Sequence, residues 1–247
     1  MDELHNQVIL ITGAAKRIGA STARLLHAKG ANLILHYNSS ESDALRLMEE
    51  LCANRAHSVR LIKGDLSEIN AIKISIRQAL AELGRLDALI NNASSFFPTP
   101  LASTTEDQWQ RIFDTNLKAP FFLAQATAPY LKKQNGSIIN IVDIYAQRPL
   151  LDHPVYSASK AGLASLTQSL ALELGPQIRV NGVSPGAILW PEINPDEVSQ
   201  QRMISRTPLK RVGDPQDIAK TILFLLSRAS FITGQVINVD GGRTVVP

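Results

Sequence analysis

The 247-residue sequence contains one cysteine, Cys52. A lone thiol can form neither an internal disulfide nor a thiolate metal cage, and such sparing use fits a reducing compartment. No apolar run approaches the ~18 residues that a membrane-crossing helix needs, so no membrane partner is expected. The chain reads Met1-Asp-Glu-Leu-His-Asn6 and then enters an apolar run, which leaves no room for a secretory signal and makes a cytoplasmic protein the expectation. No block of Lys and Arg and no basic stripe interleaved with aromatics occurs, so nucleic acid is not an expected partner. Net charge is only +3, and the pI near 9.1 points no further than to anionic ligands. Linkers, low-complexity runs and internal repeats are also missing. With 45% hydrophobic and 19% charged residues, residues 1–247 read as a single globular domain.

Short apolar runs alternate with longer helical patterns. Val8–Thr12, Ala31–His36, Ser58–Lys63, Leu86–Ile90, Ser137–Val142, Arg179–Ser184 and Gln235–Val239 read as strands. Helices are expected from the glycine turn after the first strand to Lys29, then over Glu41–Asn54, Asn70–Leu83 and Asp107–Lys133, the last interrupted near Pro120. Two more run from Pro154 to about Gly175 and over Asp214–Ser227. Runs buried on both faces, spaced by helices, predict an α/β fold: a Rossmann-type, doubly wound parallel sheet with helices on both faces. In such sheets ligands bind beyond the carboxyl ends of the strands. Segment 185–208, with Pro191, Pro195 and Pro208 and little periodicity, leaves the sixth strand there and is a candidate substrate loop or lid.

Between the first strand and first helix stands Gly13-x-x-x-Arg17-x-Gly19. Glycines there allow a tight turn and let a pyrophosphate approach the helix N-terminus. The second strand ends in His36-Tyr37-Asn38-Ser39-Ser40, with no acid before Glu41 to hold a free ribose 2′-hydroxyl. A cation and hydroxyls suit a 2′-phosphate, so NADPH is preferred over NADH, with Arg17, Ser39, Ser40 and His36 as candidates. Asp65 either accepts from an adenine amino group or closes a turn. Beyond Asn91-Asn92-Ala93-Ser94-Ser95 come Phe96 and Phe97, one expected in the core and one free to stack on a flat heteroaromatic ring. Asn116 reads as a buried amide within a helix.

Tyr156 and Lys160 lie four residues apart at the start of a long helix, hence on one face. An ammonium beside a phenol favours the phenolate, so Tyr156 is expected to exchange protons nearer neutral pH than its reference pKa of about 10. Asp143 stands where the fifth strand ends. Burial favours its acid form and Lys160 its carboxylate, and sequence does not decide between them. The helix after Tyr156 is apolar on more than one face, enough to cover the sheet and meet another subunit.

Thr12-Gly13-x-x-x-Arg17-x-Gly19, Asn91-Asn92-Ala93, Asn116, Tyr156-x-x-x-Lys160, Pro185-Gly186 and Asp240-Gly241-Gly242 together resemble the short-chain dehydrogenase/reductases, over essentially the whole chain. Most members have glycine at Arg17 and a catalytic serine at Asp143. Both departures resemble the pteridine reductase branch, as do Asn91 to Leu101 and the Gln147-x-Pro-Leu-Leu151 run, while Ile188 to Asn194 looks closer to bacterial dihydromonapterin reductases. The resemblance implies NADPH-dependent reduction of pterins and folates by a homotetramer. It implies a catalytic set of Asp143, Tyr156, Lys160 and Asn116. It places the cofactor against Gly13, Arg17, Ile18, Gly19, His36, Tyr37, Asn38, Ser39, Ser40, Asp65, Leu66, Asn92, Ala93, Ser94, Lys160, Pro185 and Gly186. The pterin would meet Arg17, Ser94, Phe96, Asp143, Tyr156, Leu189 and Trp190. Two other readings stay open: a 3-oxoacyl-thioester or other carbonyl reductase, and a non-catalytic NADPH sensor or scaffold.

Overall fold

The computed structural model describes residues 3–188 and 197–246. Seven strands form one parallel sheet: β1 (Val8–Ile11), β2 (Asn32–Tyr37), β3 (Val59–Lys63), β4 (Ala88–Asn91), β5 (Ser137–Ile141), β6 (Arg179–Pro185) and β7 (Val236–Val239). Their spatial order is β3-β2-β1-β4-β5-β6-β7, with every neighbouring pair parallel. The order reverses between β1 and β4, the switch point beyond which a crevice opens at the strand ends.

The apolar runs serve two cores. In β1, Ile9 and Ile11 face one side and Val8 and Leu10 the other. Leu33 and Leu35 against Ile34, and Ala88 and Ile90 against Leu89, repeat this. Helices α1 (Arg17–Ala28), α2 (Glu41–Asn54) and α8 (Pro215–Ser227) cover the first side through residues such as Leu26, Leu47 and Ile222. Helices α3 (Ile69–Leu83), α5 (Ala119–Lys133) and α6 (Pro154–Leu174) cover the other through Ile76, Leu123 and Leu170. Truncating a fully buried strand residue such as Leu10 to Ala costs about 2–5 kcal/mol, because the close-packed site cannot collapse around the cavity.

One expectation is made specific and one is corrected. The expected helix over 107–133 is α4 (Glu106–Phe113) and α5, joined by a π-helical turn at Asp114–Lys118. The backbone stays helical through the junction, and the wider turn comes just before Pro120, which has no N–H to give to the helix ladder. The segment expected to be irregular over 185–208 contains α7 (Glu197–Ser205), whose sequence has only Val198, Met203 and Ile204 as apolar residues and so too weak a stripe to read. Leu189 and Trp190 lie outside the described residues. Among the described residues no helix is long and apolar enough to cross a membrane.

Candidate active site

A cleft of about 1050 Å³ runs along the carboxyl ends of the strands, large enough for a dinucleotide and a small substrate together. Its floor is the turn after β1. Gly13 has φ +60°, and a Cβ there would lie 2.8 Å from the Ala93 Cα. A Cβ on Gly19 would meet the Gly13 carbonyl and come within 2.7 Å of Asn92 Nδ2. Asn92 Nδ2 donates to the Thr12 and Gly13 carbonyls at 2.9 Å each, and Thr12 Oγ1 accepts from the Asn92 and Ala93 N–H groups at 3.0 Å. Asn92 and Ala93 thus hold the shape of the turn. The N-cap of α1, Lys16, supplies no side-chain oxygen, which leaves first-turn N–H groups for an anion.

Arg17 opens α1 at φ +52°, in the left-handed region that favours glycine, and lines the cleft with Ile18. This accounts for the glycine that the resemblance implies at this position. An arginine here tolerates roughly 1–2 kcal/mol of backbone strain in order to bring a guanidinium to the cleft.

At the end of β2, Asn38, Ser39 and Ser40 line the cleft. His36 does not serve as a phosphate-binding cation. Its ring is 3% exposed, Nδ1 accepts from the Gly13 N–H at 3.3 Å, and Nε2 therefore carries the proton and donates to the Gly64 carbonyl at 3.1 Å. Burial lowers its pKa to about 4, against weaker raising effects of Gly64 and Asp65. It is a neutral strut between the glycine turn and the end of β3. The Tyr37 hydroxyl donates to Glu41 at 3.2 Å, and Lys63 reaches the same carboxylate at 2.9 Å, so Glu41 is tied to both. Asp65 Oδ1 accepts from the Ser67 N–H and hydroxyl at 2.8 Å each. It closes a turn and also lines the cleft beside the buried Leu66. Pro185 and Gly186 form the far wall, where a Cβ on Gly186 would sit 2.7 Å from the Asp240 Cα.

The reaction end is built where β5 stops. Asp143 Oδ1 accepts from the Tyr145 N–H at 2.9 Å, starting a 3₁₀ turn at Ile144–Ala146. Its Oδ2 accepts from the Tyr156 hydroxyl at 2.8 Å. Lys160 is 2% exposed, and its Nζ donates to the Ile141 carbonyl at 2.8 Å and sits 5.7 Å from the Tyr156 ring centre. Burial pulls its pKa to about 8, with Asp143 opposing, so it is mostly cationic at neutral pH. Burial raises the Asp143 pKa against the Tyr145 N–H, Lys160 and the Tyr156 hydroxyl. Of the two opposing influences on Asp143, burial prevails.

Tyr156 corrects the expectation of a lowered phenol pKa. Burial first, and then the Asp143 charge and hydrogen bond, push it well above its ordinary value, while the Ser94 hydroxyl pulls weakly the other way. Tyr156 and Asp143 therefore act as one proton-holding unit.

Asn116 is the buried amide that its helix position suggests, and the side chain makes no contact that would give it the catalytic role the resemblance implies. It is fully buried in the π-helical turn, and its amide is committed. Oδ1 accepts from the Ser95 N–H at 2.8 Å and the Ser94 hydroxyl at 3.2 Å, and Nδ2 donates to the Ser95 carbonyl and Ser159 Oγ at 3.0 Å each. It pins the Ser94–Ser95 loop to α6 and does not face the cleft.

Phe96 is 51% exposed on the cleft, stacked on His153 with centroids 4.7 Å apart and meeting Tyr156 edge-on at 4.7 Å. His153 takes one face of its ring. Phe97 is half-buried under the Arg111 guanidinium, 5.6 Å from its ring. Sequence reasoning missed Tyr145, Arg111 and Met203, all of which line the cleft. None belongs to a spaced motif, so no local signal marks them.

Residues 13–244 match a family model described as enoyl-(acyl carrier protein) reductase. Pteridine reductase 1 of Leishmania tarentolae is 38% identical, over 96% of each chain. A 3-oxoacyl-(acyl-carrier-protein) reductase of Staphylococcus epidermidis is 36% identical over 96% of this chain and 98% of its own. Among solved structures, a blue fluorescent protein from a metagenomic library, in complex with NADPH, superposes with a TM-score of 0.91 at 34% identity, covering 98% of this chain and 99% of its own.

Proposed function

Given that the chain belongs to the short-chain dehydrogenase/reductase family, and is thus an NADPH-dependent oxidoreductase, we propose that it reduces pterins, taking dihydropterins or dihydrofolate to their tetrahydro forms. The observation that carries this is the 2.8 Å hydrogen bond from the Tyr156 hydroxyl to a buried carboxyl group, Asp143. Hydride transfer leaves negative charge on a ketone oxygen and on an imine nitrogen alike, and a carboxylate at that distance opposes both. A ring nitrogen, unlike a ketone oxygen, is basic enough to be protonated before the hydride arrives, and a carboxylate nearby favours that protonated form.

The glycine turn, the first-turn N–H groups of α1, Arg17 and the Ser39–Ser40 hydroxyls fit a dinucleotide carrying a 2′-phosphate. NADPH supplies a hydride. Phe96, half exposed on the cleft, is an aromatic surface for a flat ring, and Ser94 and Arg17 line the same cleft. Tyr156 delivers the proton to the ring nitrogen. Asp143, which accepts the Tyr156 hydrogen bond at rest, takes up a proton from water in the cleft as the phenol gives its own away and passes it back along that bond, an uptake that burial favours and that spares the site a phenolate beside a carboxylate. Lys160 holds positive potential beneath the phenol.

A 3-oxoacyl-thioester reductase is the second reading, favoured by the 36% identity to such an enzyme. NADPH oxidation with dihydrobiopterin, dihydromonapterin, dihydrofolate and acetoacetyl thioester in parallel decides between them. The dihydropterins should turn over fastest. Turnover of the thioester alone overturns the pterin reading, and silence across the panel leaves the sensor. The proposal includes a cytoplasmic homotetramer, which rests on the resemblance; sedimentation tests the oligomeric state.

A further inference from the structure

Beside the proton-transfer pair stands a second phenol, Tyr145. Its backbone N–H donates to the N-capping Asp143 Oδ1, and the 3₁₀ turn so started sets Tyr145 on the cleft wall together with Asp143 and Tyr156. The side chain is half-buried. Tyr156 spends its hydroxyl on Asp143, whereas the Tyr145 hydroxyl has no hydrogen-bond partner among the described residues. Burial and then the Asp143 charge hold the proton on Tyr145, while Arg243 pulls the other way. The cleft is therefore offered a neutral O–H that can both donate and accept.

A substrate that displaces water from a half-buried hydroxyl must replace its hydrogen bonds or leave it unpaired. An aliphatic acyl chain has nothing to offer it. The polar edge of a pterin, with ring N–H, carbonyl and amino groups side by side, has both donors and acceptors. Phe96 and Tyr145 would then divide the recognition, one reading the face of the ring and the other its edge.

We propose that the Tyr145 hydroxyl hydrogen-bonds the polar edge of the bound heterocycle, making Tyr145 a substrate-specificity residue of this site. The proposal rests on the pterin reading above. It identifies which side chain enforces that choice, acting through ground-state binding and apart from proton delivery.

Tyr145→Phe removes only the oxygen. With dihydrobiopterin at saturating NADPH, KM should rise roughly three- to tenfold, the loss of one neutral hydrogen bond, with kcat changing less than KM. The Kd for NADPH and the thermal midpoint should stay at their wild-type values, which separates a lost substrate contact from a damaged fold. An unchanged KM, or a fall in kcat at constant KM, overturns the proposal. Wild-type protein inactive on every pterin defeats the pterin reading and this proposal together. Active wild type with an indifferent Tyr145→Phe variant defeats this one alone.

Discussion

Replacing Asp143 by Asn should lower the pKa of Tyr156, because it deletes the charge that, after burial, does most to hold the proton on the phenol. The two oxygens are 2.8 Å apart, and the charge is shared over both carboxylate oxygens. With an effective separation of about 4 Å and an effective dielectric constant of about 20, a phenolate and a carboxylate repel by about 4 kcal/mol. Asn has nearly the same volume and can still accept from the phenol, so burial of the site is retained and the charge alone is deleted. Lys160, buried 5.7 Å from the ring centre, then acts on the phenol without an opposing anion. The assay is ultraviolet titration of phenolate absorbance. The chain has four tyrosines, so the Tyr156 component is the difference between each protein and its Tyr156→Phe counterpart. The same variant should lose about 10²- to 10⁴-fold in kcat/KM for the pterin at neutral pH, the worth of a general acid. A Tyr156 titration that does not move when Asp143 is neutralised refutes the electrostatic argument. Full activity in Asp143→Asn refutes the proton-replacing role and leaves Tyr156 to act alone.

Gly19→Ala should weaken NADPH binding at least about tenfold and destabilise the fold by about 1–3 kcal/mol, because the added methyl meets backbone at Gly13 and the Asn92 amide that braces the turn; titration of NADPH fluorescence and urea unfolding read the two effects. The protein should lose stability in mild acid. His36 has its pKa depressed to about 4 in the fold, against about 6.5 unfolded, so its contribution is complete above about pH 6.5 and is lost as pH falls towards 4. Between pH 7.5 and 5 this amounts to roughly 2 kcal/mol, with His27 adding in the same direction because its burial also depresses its pKa. Urea midpoints that do not shift between those two pH values would show that His36 is not held neutral.

The sequence by itself determined those features whose cause is local. Continuous apolar runs specified strands buried on both faces, because alternate residues of a central strand must enter two different cores. Gly13 and Gly19 were legible because a turn that tight excludes a Cβ. Tyr156 and Lys160 were legible because helical spacing alone puts them side by side. Tertiary structure decided whatever depends on partners distant along the chain. His36 reads as a cation in a phosphate-binding loop and becomes a neutral strut because Gly13 and Gly64 occupy both its nitrogens. Asn116 reads as a buried amide, and only the fold shows that its side chain is committed to Ser94, Ser95 and Ser159. The Tyr156 pKa goes up and not down because burial and the carboxylate of Asp143 outweigh the ammonium that the spacing brings near. Desolvation and hydrogen-bond occupancy are properties of a packed volume, and no pattern along a chain encodes them locally.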